Sequence, residues 1–468
     1  MTVTTSPPVA LEATRGTNRT IAAACLATVM LMLDISVVNT ALDHIAAGVG
    51  TGLSGLQWVV DAYTLPLAAV VLSAGSIADR CGRRRTFLAG LGVFTLASAA
   101  CALAAGVSVL VAARAVQGLG AAVLFATALA LISEVTPSPE QRAKALGVFG
   151  AAIGASFAIG PFVGGLLTET AGWRSIFWIN VPLGFATALL ARGVAESRDP
   201  HARRLDLPGQ AALVGGLFLL VLALLRGNAD GWGSTDVVLA FAGAVVLLVA
   251  FVVIEASSSA PMLPLALFRQ PRFTGPQVLV FGISASFFAA FLYTTLYLQG
   301  LVGLSPLQTG LAYLPGTALI FVVSGMTAGL MVRVSPAALA VAGLGLVALG
   351  LLVMSMTTEA GSGWAAILPG FLITCAGTGL VNPTGSALAL QALPPSQSGL
   401  ASGANDTFRQ TGVAVGIAWL GTFVPAEGPY GVAPQAFTAG MHHALVAAAA
   451  LALACTLGTA ALLLRRSS

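Results

Sequence analysis

"GSIADRCGRRR", Gly75 to Arg85, sets an acid, four arginines and two glycines between two long apolar runs. Gly75 permits close helix contact and Gly82 a tight turn, while Asp79, among Arg80, Arg83 and their neighbours, has partners to exchange if the flanking helices move. A loop that only marked one side of a membrane needs the arginines, but neither the acid nor the spaced glycines.

Outward from this loop the chain is apolar almost throughout. Of 468 residues 57% are hydrophobic and 8% charged, against about 45–50% and about 25% in a soluble domain. The reading is an all-α integral membrane protein. Its apolar runs of about twenty residues fit helices crossing a bilayer, where outer-membrane strands would alternate over about ten. The 54 glycines suit helices packed closely in lipid.

Fourteen such segments are expected, at about 20–42, 55–78, 86–106, 109–133, 145–168, 175–195, 208–226, 237–255, 273–299, 307–331, 337–357, 364–391, 401–424 and 442–464. Positive charge then sets the orientation. With both termini cytoplasmic, the Lys and Arg residues gather at cytoplasmic ends, including Arg203, Arg204, Arg465 and Arg466; Arg174 and Arg226 lie outside, and Arg114 and Arg409 within spans.

The chain also echoes itself. "LSGLQWVVDAYTLP" (Leu53 to Pro66) enters the second span and "LSPLQTGLAYLP" (Leu304 to Pro315) the tenth. The plan is a six-helix bundle at 1–200, two inserted helices at 201–260 and a second six-helix bundle at 261–468. Paired halves around a central path are transporter architecture.

Other classes find little support. The net charge of +4 forms no basic tract interleaved with aromatics, so nucleic acid is not an expected partner. Five scattered cysteines form no metal or disulfide framework, and "AAAC", ending at Cys25, precedes its apolar run where a lipoprotein box would follow one. The sole lysine, Lys144, is in no phosphate-binding loop, which excludes an ATP-driven pump within this chain. No nucleophile with its base is legible, so neither an enzyme nor a cofactor is expected.

The Gly75–Arg85 loop resembles motif A of the major facilitator superfamily. "LDISVVNTAL" (Leu33 to Leu42) resembles the first-helix signature of its fourteen-helix drug:proton antiporter branch. "RAVQGLGAA" (Arg114 to Ala122) resembles motif B, and "GASFAIGPFVGG" (Gly154 to Gly165) the antiporter motif C. "WRSIFWINVPLG" (Trp173 to Gly184) and "FRQTGVAVGIA" (Phe408 to Ala418) are similar to the same branch. The counterpart of motif A in the second half, near "GLMVRVSP", is degenerate.

The resemblance implies a proton-coupled antiporter that exports drug- or antibiotic-like molecules by alternating access, functioning as a monomer. An exporter of a natural amino acid or peptide is the alternative, and a non-transporting membrane sensor a more distant one. The preference for Arg over Lys and the abundance of Ala and Gly suggest a high-GC bacterium, hence its plasma (inner) membrane.

The residues supply the chemistry. Asp34 lies near the middle of the first helix, where an ionised carboxylate costs about 2.5–3.5 kcal/mol; burial favours its protonated form, as a proton carrier requires, the other reading being an acid hydrogen-bonded purely for packing. Asp61 is a second acid, open to a substrate or proton role or to that of an interfacial charge. Arg114 reads as the counter-charge, with Gln117 on the same helix face, or as a side chain snorkelling to the interface. Asp406 and Arg409, three apart near the start of the thirteenth span, form either a local pair facing the path or the helix start that partners Asp79. Glu134 is a partner for the motif A arginines or a solvated helix-end acid. In motif C, Gly154, Gly160, Gly164 and Gly165 make a smooth groove that Pro161 bends, or a plain packing face.

Overall fold

A computed structural model describes residues 8–136, 138–198, 206–258, 261–394, 397–430 and 432–464. Arg203, Arg204, Arg465, Arg466 and the boundaries expected at 200 and 260 lie outside the described residues. Among the described residues helix accounts for 86%, without strands. In a bilayer this is the economical answer for a chain of this composition, because a helix satisfies its backbone hydrogen bonds within itself.

A helix occupies each expected segment. They are α1 (Pro8–Thr40), α2 (Leu53–Cys81), α3 (Arg83–Ala102), α4 (Val107–Val135), α5 (Pro139–Ala171), α6 (Ser175–Ala191), α7 (Leu207–Asp230) and α8 (Thr235–Ser257). There follow α9 (Pro271–Leu301), α10 (Pro306–Leu330), α11 (Pro336–Thr357), α12 (Leu368–Gln391), α13 (Ser398–Gly421) and α14 (Pro434–Leu463). Among the described residues eleven helices are long and apolar enough to cross a membrane, which makes this a multi-pass membrane protein. The helix α6 is shorter, and α12 and α13 carry more polar residues. In α13 these include Asn405, Asp406, Thr407 and Gln410, all buried, so protein rather than lipid surrounds that polarity.

Helices α1–α6 pack among themselves, and so do α9–α14. The two sets meet along two seams, α2 against α13 and α5 against α10. The echoed sequences thus begin equivalent helices: α2 and α10 each pack against the opposite set. The helix α9 contains two π turns, Ser284–Phe288 and Tyr297–Leu301. Gly412 and Gly416 of α13 lie against its backbone around the first of them.

The inserted helix α7 straddles the α2–α13 seam. At one end Gln210 donates to the Ala69 carbonyl (2.7 Å) and accepts from Ser73. At the other, Asn228 Nδ2 donates to the carbonyls of Gly421 (3.0 Å), Thr422 (3.0 Å) and Val424 (3.2 Å), which close the end of α13. Its partner α8 shows Leu239, Val245 and Val246 on an exposed apolar face, as a lipid-facing helix would.

Candidate functional site

Asp34 is the centre of a polar network inside the first bundle. It is 1% exposed, and three donors reach it. Arg114 Nη1 lies 2.5 Å from Oδ2, while Gln117 Nε2 and Asn180 Nδ2 each lie 2.8 Å from Oδ1. A carboxylate is an acceptor only, and donors from α4 and α6 converge on this one from α1 and reach both of its oxygens.

Arg114, also 1% exposed, is not a snorkelling side chain. Its Nε donates to the Val59 carbonyl (3.1 Å), its Nη1 also donates to Gln117 Oε1 (2.8 Å), and its guanidinium lies 4.2 Å from the centre of the Tyr63 ring. The cation is buried because acid, amide, carbonyl and ring enclose it. Gly118, one residue beyond Gln117, lets α4 approach the Tyr63 backbone on α2.

Asn180 was not singled out from the sequence. Its amide nitrogen bridges Asp34 and Ser98 Oγ (2.9 Å), and Ser98 in turn donates to the Phe177 carbonyl (2.9 Å). The available signal was an asparagine within the apolar "FWINVPLG". Such a group needs partners at membrane depth.

Asp61 is 0% exposed, and neither carboxylate oxygen has a hydrogen-bond partner among the described residues. It lies within electrostatic reach of Tyr293. One turn earlier on α2, Gln57 Nε2 donates to Tyr293 Oη (2.8 Å), and that hydroxyl donates to the Ile417 carbonyl. The surroundings of Asp61 therefore join the two bundles.

Asp406 lies two turns inside α13 rather than at its start, 4% exposed, with Arg409 Nε 3.8 Å away and Oδ2 without a partner among the described residues. Of the two readings, the geometry gives the local pair. Tyr63 is within electrostatic reach of Asp406 as well as of Asp34 and Arg114.

At the motif A loop, Arg83 takes both nearby acids. It lies 3.0 Å from Asp79 and also pairs with Glu134 at the end of α4. Glu134 is thus a partner and not merely solvated. Asp79 finds its partner within the same bundle, not on α13. Gly82 adopts φ +108°, a conformation suited to glycine, and turns the chain from α2 into α3. Arg80 is exposed. Gly75 serves no close contact in this conformation, since nothing lies within 4 Å of where its Cβ would be. The first N–H groups of α3 go elsewhere: Glu196 accepts from Arg84 N (3.1 Å) and Arg85 N (3.2 Å).

Motif C serves two interfaces. Gly160 lies against Ser36 and Gly164 against Val37 and Thr40, so both face α1. Gly165 faces α10, against the backbone of Pro306 and Leu307; further along, the Pro161 carbonyl meets Gly310. Thr317 of α10 donates to the Ala158 carbonyl (2.8 Å). At Gly154 the nearest approach to a Cβ is 4.0 Å, from Phe321, and around Gly147, Gly150, Gly325 and Gly329 nothing comes within 4 Å. The α5–α10 seam is closed at one end and parts towards the motif A end.

Among the described residues no group of three or more His, Cys, Asp or Glu could hold a metal ion. Trp178 is exposed, whereas Phe287, Phe291, Tyr313 and Phe371 pack ring on ring in the second bundle.

Residues 24–417 match the family model described as Major Facilitator Superfamily. The multidrug resistance protein Stp of Mycobacterium tuberculosis is 37% identical over 411 residues, covering 87% of this chain and 76% of that protein. The methylenomycin A resistance protein of Streptomyces coelicolor is 34% identical over 420 residues, covering 89% and 88%. The crystal structure of a peptide transporter, POT, in complex with sulfate superposes with a TM-score of 0.68 at 17% identity, covering 96% of this chain and 94% of that one. That likeness bears on the fold alone. Two helical sets meeting along α2–α13 and α5–α10, with an acid and an arginine buried together in the first, are the structural side of the same conclusion: the chain belongs to the Major Facilitator Superfamily.

Proposed function

We propose that this protein exports drug- or antibiotic-like small molecules from the cytoplasm, driven by proton entry, as a member of the fourteen-helix drug:proton antiporter branch. The resistance proteins that match most of its length support the substrate class. The observation that carries the coupling is the buried Asp34–Arg114 pair with its amide donors. Both termini are cytoplasmic in this reading, and the chain divides into bundles at 1–200 and 261–468 with an inserted pair at 201–260.

The geometry supplies a mechanism. Every partner of the Asp34 oxygens is a donor, so a proton arriving on that carboxyl displaces one of them. Arg114 keeps the Val59 carbonyl, Gln117 and the Tyr63 ring when it is released. The freed cation and the neutral acid then favour a different packing of α1 against α4, and alternation follows from that difference. Substrate and proton compete because each prefers a different charge state of one group. Asp61, with both carboxylate oxygens unpartnered among the described residues, and Asp406, with one, are where substrate or proton is received between the bundles.

The test pairs a susceptibility screen, in cells with and without the gene, with pH-driven accumulation in liposomes. Asp34→Asn should abolish uphill export while the protein remains inserted, and Asp34→Glu should retain some coupling. Undiminished accumulation by Asp34→Asn would move the proton site to Asp61. Orientation is checked separately: cysteines within Pro425–Thr438 should react with an impermeant reagent in sealed cells, and cysteines within Glu196–Leu207 should not.

A further inference from the structure

Glu169 sits in the last turn of α5, where the partial negative charge of its own helix disfavours an acid. The compensation lies in the other bundle. Glu169 Oε2 accepts from Ser305 Oγ (2.6 Å) and from Leu307 N (3.1 Å) at the start of α10.

The donors at that helix start can be accounted for one by one. Ser305 N donates to Gln308 Oε1 (3.0 Å), Pro306 has no N–H, Gln308 N donates to Ser305 Oγ (3.2 Å), and Thr309 N donates to the Ser305 carbonyl (2.8 Å). Leu307 N is left for Glu169. Among the N–H groups of this helix start, Leu307 N is the one whose protein partner lies in the other bundle. Directly beneath, Gly165 and Gly310 allow the two backbones to touch, and Gln299 Nε2 spans the bundles to the Thr40 carbonyl (2.7 Å).

From this arrangement we propose that Glu169 is a latch that holds the outer end of the α5–α10 seam closed. It acts as a positioning residue for the alternation described above, and its being on the outer face rests on the orientation proposed there. At the opposite end the seam is open, so undocking Glu169 and closing that end are two halves of one movement. Three interactions are lost on opening: a hydroxyl bond, a backbone bond and a charge placed at a helix N-terminus.

The experiment uses full-length protein reconstituted in liposomes, with the native cysteines replaced and spin labels on Ser108→Cys and Ala360→Cys. Both positions are exposed, one in each bundle at the Glu169 end. Pulsed electron resonance reads the distance between them. Glu169→Ala should shift the population towards long distances about three- to tenfold, and Glu169→Gln, which keeps size and loses charge, by less. A distribution unchanged in Glu169→Ala overturns the latch. If that variant does not fold, Glu169→Gln decides: a shift supports the latch and a parental distribution overturns it. In sealed cells an impermeant maleimide should label Ser108→Cys. Labelling only after permeabilisation overturns the outward assignment, while the distances still judge the latch itself.

Discussion

Arg114 Nη1 lies 2.5 Å from Asp34 Oδ2 in a site sealed from solvent, α4 supplying the cation and α1 the acid. Each charge is stabilised there by the other. Removing one member of a buried pair costs about 3–5 kcal/mol, whereas replacing both is often close to neutral. Asp34→Asn and Arg114→Gln should each lower the thermal stability of the purified protein, and the double variant should recover much of the loss. A cycle in which the two losses simply add would show that the residues are not coupled in the folded protein.

Asn180 should matter through Asp34. In Asn180→Leu the acid loses one of two donors to Oδ1, and Ser98 loses its amide partner. An unmet buried group costs about 1–3 kcal/mol. Proton-driven transport should fall, since the Asp34 carboxylate is left with one donor fewer. Asn180→Ser, which keeps a donor, should lose less transport. Parental transport in Asn180→Leu would show that the Asp34 network does not depend on this donor.

The two helix starts that share a sequence show what a single chain could and could not reveal. "LSGLQ" and "LSPLQ" each begin a helix on a seam, and the repeat placed both. Their uses diverge. Gln308 folds back to cap its own helix, while Gln57 reaches across to Tyr293. The letters differ where Pro306 stands in place of Gly55: α10 begins at that proline with Ser305 as its N-cap, whereas α2 already begins at Leu53 and leaves Gln57 free to reach the opposite bundle. The Asp34–Arg114 pair was legible since two charges at membrane depth must find each other. Asn180, Glu169 and Glu196 were not, for an amide in an apolar run and acids at helix ends read as ordinary until the partner helices are in place. Motif C's small residues were legible as a face, but their division between α1 and α10 was not.

The motif A loop should separate stability from rate. Asp79 and Glu134 both meet Arg83 at a partly exposed site, where an ion pair contributes about 0–1 kcal/mol. Asp79→Asn and Glu134→Gln should therefore leave thermal stability nearly unchanged. Transport by purified protein in liposomes should still slow in both, because a pair that is exchanged during alternation acts on the balance of conformations. Parental rates would reduce the loop to a signal for topology.

Gly165 and Gly310 make the sharpest steric prediction. A Cβ on Gly165 would strike the Pro306 backbone, and one on Gly310 the backbone at Pro161. Backbone cannot rotate away as a side chain can, so even Gly165→Ala requires α5 and α10 to separate at the end where they are now docked. Elsewhere on α5, Gly150 has nothing within 4 Å of its Cβ position, and Gly150→Ala serves as the control, with the slight gain in helix propensity that alanine brings. Gly165→Ala and Gly310→Ala should bias the protein against the closed arrangement of that end. The reporter is a cysteine at Thr317, which donates to the Ala158 carbonyl across this seam and is 5% exposed. Its labelling by an impermeant reagent added on the Glu169 side should quicken in both glycine variants and stay slow in Gly150→Ala. Equal slow labelling in all three would mean that the seam yields locally, and that its close packing does not govern access.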